Sequence, residues 1–568
     1  KPKARCYFAS RLPIPHAFFA LVGEDSEPTC YSQASRSPEW RQAMSDEFNA
    51  LLKQRTWSLV PPVPRANIVG CKWVFKLKQN SDGSIERHKA RLVAKGFHQQ
   101  AGVDYSETFS PVVKPTTIRT VLSLAVHFGW PLHQLDVKNA FLHGSLMEEV
   151  YMQQPPGFVD PTRPNYVCKL HKALYGLKQA PRAWFQRLSA FLVHSGFVQS
   201  RADSSMFTFH QGSTILIFLL YVDDIVLTGN ASSLLQTFIA VLGKEFELKD
   251  LGRLHYFLGV EVSHLSSGLR LTQNKYTLNI LKRSNMLECK PCPTPVAAKT
   301  SLSATSGSPL PDASLYRQIV GSLQYLTLTR PDISFAVQTV AQFMGRPTTD
   351  HMDAVKRILR YLKGTLGMGI TFTPSAQPFQ LAAYSDADWA GCPDTRRSTT
   401  GFCVYLGNNL ISWCAKKQRT VSRSSAEAEY RALAFACADT IWILSLLHEL
   451  RVPVRLPVLM HCDNLSATYM AANPVFHART KHIALDYHFV RDGVACGTHR
   501  VQFLPSTLEL ADVFTMGLST ARFRSLCSNF VSSPESSLRG DVDKVVSSHK
   551  PSYLQSTSRP ISRPTYKV

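Results

Sequence analysis

The chain has 568 residues, 44% of them hydrophobic and 18% charged, and its 63 Lys and Arg against 41 Asp and Glu give a formal net charge of +22. This composition excludes a fully disordered or fibrous chain, and the length exceeds what one hydrophobic core can serve. The positive charge favours a polyanionic partner, because each neutralised phosphate releases counterions; a solvated basic surface is the alternative.

The first predicted elements follow residue 37, since residues 1–37 carry no clear pattern and are expected to form a linker. Ser37 and Pro38 predict a helix start, because Ser caps helices and Pro is favoured at their first position. Residues 71–94 predict two strands around a turn at Asp82–Gly83. One face of this hairpin is apolar and the other cationic, which suits gripping phosphates. An edge strand protected by Lys is the alternative.

The next predicted strands end in acidic residues. The run HQLDVKNAFLHG (133–144) predicts a strand with Asp136 at its end, and a helix follows from about Pro181. The run STILIFLLYVDDIVLTGN predicts two β-rich halves that meet at Asp223 and Asp224. Since successive side chains of a straight strand face opposite ways, and buried carboxylates are costly, a tight turn at a partly solvated tip is expected there.

Acidic residues at the tips of neighbouring strands, inside a basic protein, predict a bound divalent cation. Mg²⁺ takes oxygen ligands and is held by one or two carboxylates, with substrate phosphates completing its shell. In a two-metal site the ions clamp the attacking and leaving oxygens of a phosphoryl displacement. Asp136 and Asp223 form the predicted pair, with Asp224 alongside. A surface turn that contains two Asp is the alternative.

The second half of the chain changes character twice. After residue 285 the periodicity becomes helical, and from about residue 376 strands and helices alternate again, with one long helix predicted over 424–450. Beyond about residue 520 the chain is rich in Ser, Pro and basic residues without a sustained period, which predicts a disordered tail.

Cysteine spacing and hydropathy disfavour a disulfide-rich secreted protein, a zinc site and a membrane protein. Thirteen Cys without regular spacing disfavour a secreted disulfide framework, and the lone CxxC at Cys289 and Cys292 disfavours zinc. No signal peptide or membrane span is evident. The first residue is Lys rather than Met, which favours a piece of a longer chain.

Multi-residue motifs across roughly residues 38–520 resemble the Pol polyprotein of copia-type LTR retrotransposons. The motifs are YVDD, QLDVKNAFLHG, LYGLKQAPRAW, KARLVAKGFHQQAGVDYSETFSPVVK, VYMQQPPGF, RPDISFAV, YSDADWAG, SSAEAEYRA and RTKHIALDYHFVRD. The resemblance implies an α/β (α+β) multidomain fold, with a fingers–palm–thumb polymerase, a helical connecting region and a ribonuclease H-like α/β domain. The expected boundaries are 1–37 for the linker, 38–285 for fingers and palm, 286–375 for thumb and connection, 376–520 for the ribonuclease H-like domain, and 521–568 for the disordered basic, Ser-rich tail.

The resemblance also implies a function. It implies an RNA-directed DNA polymerase that copies retrotransposon RNA into DNA and, as a ribonuclease H, degrades the RNA strand of the hybrid. The implied partners are RNA template, DNA primer, RNA–DNA hybrid, deoxynucleoside triphosphates and other Pol and Gag products of the element, without a membrane. Mg²⁺ is the implied cofactor, with Mn²⁺ as a substitute, and the implied location is the cytoplasm, in virus-like particles, and the nucleus. The alternative is a catalytically inactive relic or a domesticated nucleic-acid-binding protein.

At the polymerase site the resemblance implies roles for particular residues. Asp136, Asp223 and Asp224 match the catalytic carboxylates, and the backbone carbonyl of Val137 is an expected further metal ligand. Phe141 matches the aromatic residue that presses on the sugar of the incoming nucleotide; an ordinary core Phe is the alternative. The other implied nucleotide-binding residues are Lys89, Arg91 and Gln179.

At the ribonuclease H site the resemblance implies four acidic residues as catalytic groups and metal ligands: Asp386, Glu429, Asp463 and Asp512. Periodicity does not separate Asp386 from Asp388, which share a strand face, and Asp463 has the alternative role of a helix cap. Ser424 and Glu427 form a capping-box pattern, which gives Glu427 a structural role and leaves Glu429 as the expected ligand.

Two departures from the family pattern lie in and before ELADVFTMGL (509–518). Met516 stands where the family usually has Lys, and no His precedes Asp512 as a general base. The departure at Met516 favours the inactive alternative, whereas the complete set of carboxylates opposes it.

Overall fold

The computed structural model describes residues 27–79, 85–298, 301–472 and 484–532; the predicted turn at Asp82–Gly83 lies outside them. In chain order, the described helices are α1 (Tyr31–Ala34), α2 (Pro38–Lys53), α3 (Pro115–Phe128), α4 (Ala180–His194), α5 (Ser232–Glu245), α6 (Asn274–Arg283), α7 (Ser314–Leu326), α8 (Ser334–Ala341), α9 (Thr349–Gly364), α10 (Ser425–Glu449), α11 (Leu465–Ala472), α12 (Ala484–Ala495) and α13 (Thr520–Cys527). The strands are β1 (Trp57–Val60), β2 (Ile68–Val69), β3 (Cys71–Gln79), β4 (Ile85–Ala94), β5 (Leu132–Val137), β6 (Ser145–Met152), β7 (Val167–Lys172), β8 (Val198–Gln199), β9 (Met206–Gln211), β10 (Thr214–Tyr221), β11 (Asp224–Gly229), β12 (Leu248–Arg253), β13 (Tyr256–Phe257), β14 (Val260–Leu265), β15 (Gly268–Thr272), β16 (Ile370–Phe372), β17 (Phe379–Asp388), β18 (Thr399–Leu406), β19 (Asn409–Lys417), β20 (Val454–Cys462) and β21 (His499–Phe503).

The predicted two-faced hairpin is present as the antiparallel pair β3–β4. Its apolar face packs on α2, where the rings of Trp40 and Phe75 lie 5.3 Å apart, while the Lys side chains of β3 remain exposed. Ser37 caps α2 as predicted, because its hydroxyl accepts the backbone N–H of Trp40 at 3.3 Å. Beside this hairpin, a separate sheet has the strand order β1-β7-β6-β2.

A six-stranded antiparallel sheet, the central sheet, carries the first set of predicted acidic residues, in the order β12-β5-β11-β10-β9-β8. Both faces of β10 are buried: Phe218 and Leu220 pack on the side of α4 and α5, and Ile217 and Leu219 pack on the opposite side, where α3 lies. This double burial explains why the run is continuously apolar instead of alternating with polar residues.

The segment that follows mixes strands with the predicted helices. Helices α7, α8 and α9 confirm the helical periodicity after residue 285. A four-stranded sheet, β13-β14-β15-β16, was not predicted, and its last strand lies about a hundred residues after β15. Local periodicity does not reveal such a pairing, because each strand is short.

The C-terminal sheet has the order β19-β18-β17-β20-β21, with β20 and β21 parallel to β17. The predicted long helix forms as α10 and packs across this sheet. By length and composition α10 is the one described helix that could cross a membrane, yet 56% of its most apolar stretch is buried inside the protein, as in the core helix of a soluble protein.

The prediction of a disordered tail over 521–568 is wrong for its first twelve residues. Helix α13 buries Phe523 and Leu526, and Ser532 pairs with Gly369 through backbone hydrogen bonds. Apolar residues spaced by three or four positions fit one helix face, but the surrounding Ser and Arg residues mask that pattern.

Helix α3 packs against β19, which joins the central sheet to the C-terminal sheet. The Arg119 guanidinium lies 3.6 Å from the centre of the Trp413 ring, and burial lowers the Arg119 pKa to about 9, against the effect of Asp439. Nearby, the Asn409 amide donates to the Ser123 hydroxyl at 2.8 Å. The two sheets are therefore held together by packed and hydrogen-bonded groups, not by a linker alone.

Candidate active sites

The first acidic cluster forms where β5 meets the β10–β11 hairpin. Asp224 lies directly opposite Asp136 in the strand register, and Asp223 occupies the turn. The turn is tight because Val222 adopts a φ of +57°, and it is fixed by the Trp184 indole, which donates to the Val222 carbonyl at 2.6 Å. All three carboxylates are half-buried at this tip, as the sequence predicted.

A backbone hydrogen bond ties the turn to β5. The Val137 amide donates to the Asp223 carbonyl at 3.1 Å, so the residue after Asp136 is bonded to the hairpin tip. The predicted metal-ligand role of the Val137 carbonyl stays a prediction.

The electrostatics of this tip disfavour three ionised carboxylates. Burial, with Asp223 and Asp136 nearby, raises the pKa of Asp224 to about 6. Burial and Asp136 also raise the pKa of Asp223, while Arg91 and Lys89 act in the opposite direction. Since a cation would relieve this repulsion, the site suits a positively charged ligand.

The predicted nucleotide-binding residues Lys89 and Arg91 lie on β4, close enough to Asp223 to act on its carboxylate. The Arg91 guanidinium lies 4.7 Å from the centre of the Tyr175 ring, and the Tyr175 and Phe141 rings meet edge to face at 4.8 Å. Burial raises the Tyr175 pKa to about 12. Tyr175, which sequence reasoning missed, thus connects the cationic strand with the ring of Phe141.

Gln179 is buried and hydrogen-bonded in this structure, and its predicted role in nucleotide binding stays a prediction. Its side chain is only 2% exposed; its amide donates to the Asp104 carbonyl at 2.8 Å and its oxygen accepts from the Gln99 amide at 3.0 Å. Both ends of the Gln179 side chain therefore hold the loop after β4 in place. The same motif, LYGLKQAPRAW, contains Tyr175, whose pKa Asp223 and Asp136 help to raise.

The second acidic cluster lies at the C-terminal sheet. Ligand oxygens of Asp386, Glu429 and Asp463 all lie within 4.8 Å of one another, and no other acidic trio among the described residues is as close. β17, α10 and the segment after β20 supply one member each. Burial, with Asp386 nearby, raises the Glu429 pKa to about 11, and burial also raises the pKa of Asp386.

The fourth predicted residue, Asp512, is close to this trio but is paired elsewhere. Its carboxylate forms an ion pair with Arg522 of α13. Burial and Asp386 raise the Asp512 pKa to about 7, and Arg522 opposes that rise. Because Arg522 falls in the segment predicted to be disordered, this ion pair was missed from sequence.

Hydrogen bonds show which residue caps α11 and which of Asp386 and Asp388 belongs to the trio. Asn464, not Asp463, caps α11 by accepting the Ala467 amide at 3.0 Å, and Asp463 accepts from the Ser506 hydroxyl at 2.6 Å. The Asp388 carboxylate is occupied by the Thr399 amide, whereas Asp386 lies among the acidic oxygens.

Glu427 has the structural role that the capping-box pattern predicted. Its amide donates to the Ser424 hydroxyl at 3.2 Å, and its carboxylate accepts the Arg423 amide at 2.8 Å and pairs with Arg431. The carboxylate therefore holds the start of α10, and Glu429, about half a turn further along the helix, lies with Asp386 and Asp463 in the acidic trio.

Sequence reasoning also missed two neighbours of the trio. Glu509 is fully buried, and burial with nearby Asp386 raises its pKa well above the usual value. The Thr515 hydroxyl donates to Asp386. Both residues belong to ELADVFTMGL (509–518), so their signal was their place in a motif already identified by Asp512.

Both clusters offer carboxylate oxygens of the kind a divalent cation takes, and only the trio at the C-terminal sheet, among the described residues, has its oxygens within 4.8 Å of one another. Mg²⁺ takes carboxylate oxygens, and in each cluster burial together with mutual repulsion raises carboxyl pKa values. A divalent ion bound to such oxygens would displace their protons and relieve the repulsion between them.

Glu429→Gln should raise the melting temperature of the metal-free protein at pH 8. Because the folded-state pKa is raised to about 11, stability is lost as the pH rises above the unfolded-state value, and the amide removes that loss. A gain of about 1 kcal/mol corresponds to roughly 2–4 °C for a domain of this size. Scanning fluorimetry in EDTA should show the gain shrinking as the pH falls towards about 4.5. A gain or loss that is independent of pH would contradict the expectation.

Comparisons with known proteins agree with these motifs. Residues 54–298 match the family described as reverse transcriptase (RNA-dependent DNA polymerase). The chain is 52% identical over 510 residues to the retrovirus-related Pol polyprotein from transposon RE2 of Arabidopsis thaliana, covering 90% of this chain and 35% of that protein. It is 31% identical over 299 residues to the putative transposon Ty5-1 protein of Saccharomyces cerevisiae, covering 52% of this chain and 97% of that protein. A solved foamy viral protease–reverse transcriptase in complex with double-stranded DNA aligns with 85% of this chain and 72% of its own, at 11% identity and a TM-score of 0.21, too low to support an argument.

Proposed function

Because the chain belongs to the copia-type retrotransposon Pol polyproteins, we propose that it is an RNA-directed DNA polymerase with ribonuclease H activity. It spans 35% of the length of the RE2 polyprotein, so the activity proposed is that of this part of such a protein. The observation that carries the proposal is the meeting of Asp136, Asp223 and Asp224 where β5 joins the β10–β11 turn. Extension of a DNA primer on an RNA template with Mg²⁺ tests it, and no extension would favour the inactive or domesticated alternative.

The proposed polymerase reaction is attack of the primer 3′-hydroxyl on the α-phosphate of a deoxynucleoside triphosphate, with release of pyrophosphate. Mg²⁺, or Mn²⁺ as a substitute, held by Asp136 and Asp223 with the Val137 carbonyl, would supply neutralising charge for the phosphates. Lys89 and Arg91 of β4, which lie close enough to Asp223 to oppose the rise in its pKa, would bind the triphosphate.

Phe141 is proposed to exclude the ribose 2′-hydroxyl of an incoming nucleotide. Phe141→Val should raise incorporation of ribonucleotides relative to deoxynucleotides by about ten- to a hundredfold, because a smaller side chain leaves room for the hydroxyl. Competition between ribonucleotide and deoxynucleotide in primer extension measures this ratio.

A matched control for Phe141 is Phe185→Val, which shortens another half-buried Phe of the same region. The control should leave the ratio unchanged. If Phe141→Val leaves the ratio unchanged and only destabilises the protein, Phe141 is an ordinary core residue.

The proposed second activity is cleavage of the RNA strand of an RNA–DNA hybrid by water attack on a phosphodiester. Asp386, Glu429, Asp463 and Asp512 would hold Mg²⁺, whose charge stabilises the phosphate in the transition state. Thr515 and Ser506 orient Asp386 and Asp463 by donating hydrogen bonds. No His is assigned as general base.

The domain assignment follows from the same proposal. We assign 38–285 to fingers and palm, 286–375 to thumb and connection, and 376–520 to the ribonuclease H-like domain. The partners are RNA template, DNA primer, the hybrid, deoxynucleoside triphosphates and other products of the element. The proposed locations are the cytoplasm, in virus-like particles, and the nucleus.

A further inference from the structure

Trp389 is the one exposed tryptophan of this protein. All eight Trp lie within the described residues, and only Trp389, at 54%, exceeds half exposure. Exposed large aromatic side chains are enriched where a protein binds a partner, since their burial is favourable.

The Trp389 ring is held rigidly in its exposed position. Its indole N–H donates to the carbonyl of Ser422, the residue that follows Val421, at 3.1 Å, and the Val421 side chain is itself 51% exposed. The loop is anchored in turn, because the Ser422 hydroxyl donates to Gln418 at 2.9 Å and Gln418 donates to the Ala428 carbonyl of α10 at 3.0 Å. We call Trp389 and Val421 the apolar ridge.

The apolar ridge lies between the elements that carry the acidic trio. Trp389 follows β17 directly and is three residues after Asp386, and the Val421 loop leads into α10, which carries Glu429. The base of the Trp389 loop is tied down by Asp388, which accepts the Thr399 amide.

The two loops that carry the ridge also carry four arginines. Arg396 and Arg397 lie in the loop after Trp389, and Arg419 and Arg423 flank Val421; all but the half-buried Arg397 are exposed. The acidic residue of these loops, Asp394, accepts hydrogen bonds from the Ser303 hydroxyl and the Ala304 amide. An apolar surface between arginines is complementary to a sugar–phosphate backbone, because arginines bind phosphates while the ring contacts sugars or bases.

We propose that the apolar ridge, with its arginines, binds one strand of an RNA–DNA hybrid and positions its neighbouring phosphate at Asp386, Glu429 and Asp463. The proposal rests on the proposed ribonuclease H activity and names the surface that this activity uses. Trp389 is a positioning residue, since it touches the strand beside the reacting phosphate.

Trp389→Ala should raise KM for cleavage of a labelled hybrid about tenfold while kcat stays within about twofold, because a lost aromatic contact weakens binding of the strand. Trp389→Phe should recover most of the affinity, since it keeps an aromatic face although it lacks the N–H that bonds Ser422. Ile441→Ala is the matched control: Ile441 is 39% exposed on α10, roughly 18 Å beyond Glu429 along the helix.

Anisotropy of the same hybrid in EDTA, using the full chain, measures binding without cleavage and separates the two proposals. Wild-type binding that weakens about tenfold in Trp389→Ala supports the ridge even if no cleavage is found, and absent cleavage would then count against the proposed activity alone. Equal hybrid binding by wild type and Trp389→Ala would overturn the proposal that the apolar ridge binds the hybrid. The proposal would also fail if Trp389 were needed for binding a protein partner but not for binding the hybrid. Equal defects in Trp389→Ala and Trp389→Phe would assign the effect to the hydrogen bond with Ser422.

Discussion

Asp223→Asn is expected to reduce primer extension to background while duplex binding stays within about twofold of the parent protein, because binding rests on basic contacts. The amide keeps the shape of the side chain at the hairpin tip but removes the charge that attracts Mg²⁺. The backbone carbonyl of Asp223, which accepts the Val137 amide, is unaffected, so the tip should keep its place beside Asp136. Extension by purified protein on an RNA template measures the effect.

The matched control for Asp223 is Asp250→Asn. Asp250 is an exposed residue of β12, the strand that pairs with the other side of β5, and its carboxylate accepts the Gly252 amide at 2.7 Å. Since an Asn oxygen also accepts that bond, extension should be unchanged. If Asp223→Asn and Asp250→Asn extended primers equally, the assignment of the tip as a polymerase site would be wrong.

Glu429→Gln should stop cleavage of the RNA strand in a labelled hybrid while primer extension continues near the parent rate. Glu429 belongs to the acidic trio of the C-terminal sheet, and none of that trio lies in the central sheet, which carries Asp136 and Asp223. Asp463→Asn should behave alike. Its alternative role as a helix cap no longer applies, because Asn464 caps α11.

Glu427→Gln is the control for Glu429, two positions away on the same buried turn of α10. Its oxygen can still accept the Arg423 amide, so hybrid cleavage should persist even though the pairing with Arg431 weakens. Loss of both activities in Glu429→Gln would contradict two separable sites. Full cleavage by that variant would remove Glu429 from the proposed metal ligands.

Local chemistry in the sequence was sufficient to predict the acidic tip and the choice between two glutamates. Adjacent carboxylates in an apolar run are tolerable only at a turn, and the structure places Asp223 in one. Likewise, the Ser424–Glu427 capping pattern predicted a structural role for Glu427, and Glu429 is the glutamate that lies with Asp386 and Asp463. Both inferences needed contacts over only a few residues.

The sequence did not reveal contacts that span long stretches of chain. Gln179 bonds residues 75 and 80 positions earlier, so nothing nearby in sequence shows that its side chain is buried. Arg522 meets Asp512 through a helix hidden in a Ser- and Arg-rich segment. Periodicity measures one element at a time, and it does not show which elements pack together.

Burial of Arg119 against Trp413 has a consequence for how the two proposed activities share one substrate. The buried Arg119 guanidinium would lose its contact with the Trp413 ring if α3 slid along β19. A buried charge without such a contact is unfavourable, so this movement would be costly. This contact therefore resists a change in the distance between the two acidic centres. If one hybrid is bound at both proposed active sites, the RNA strand would be cut a set number of base pairs behind the growing DNA end. That number would not depend on the template sequence.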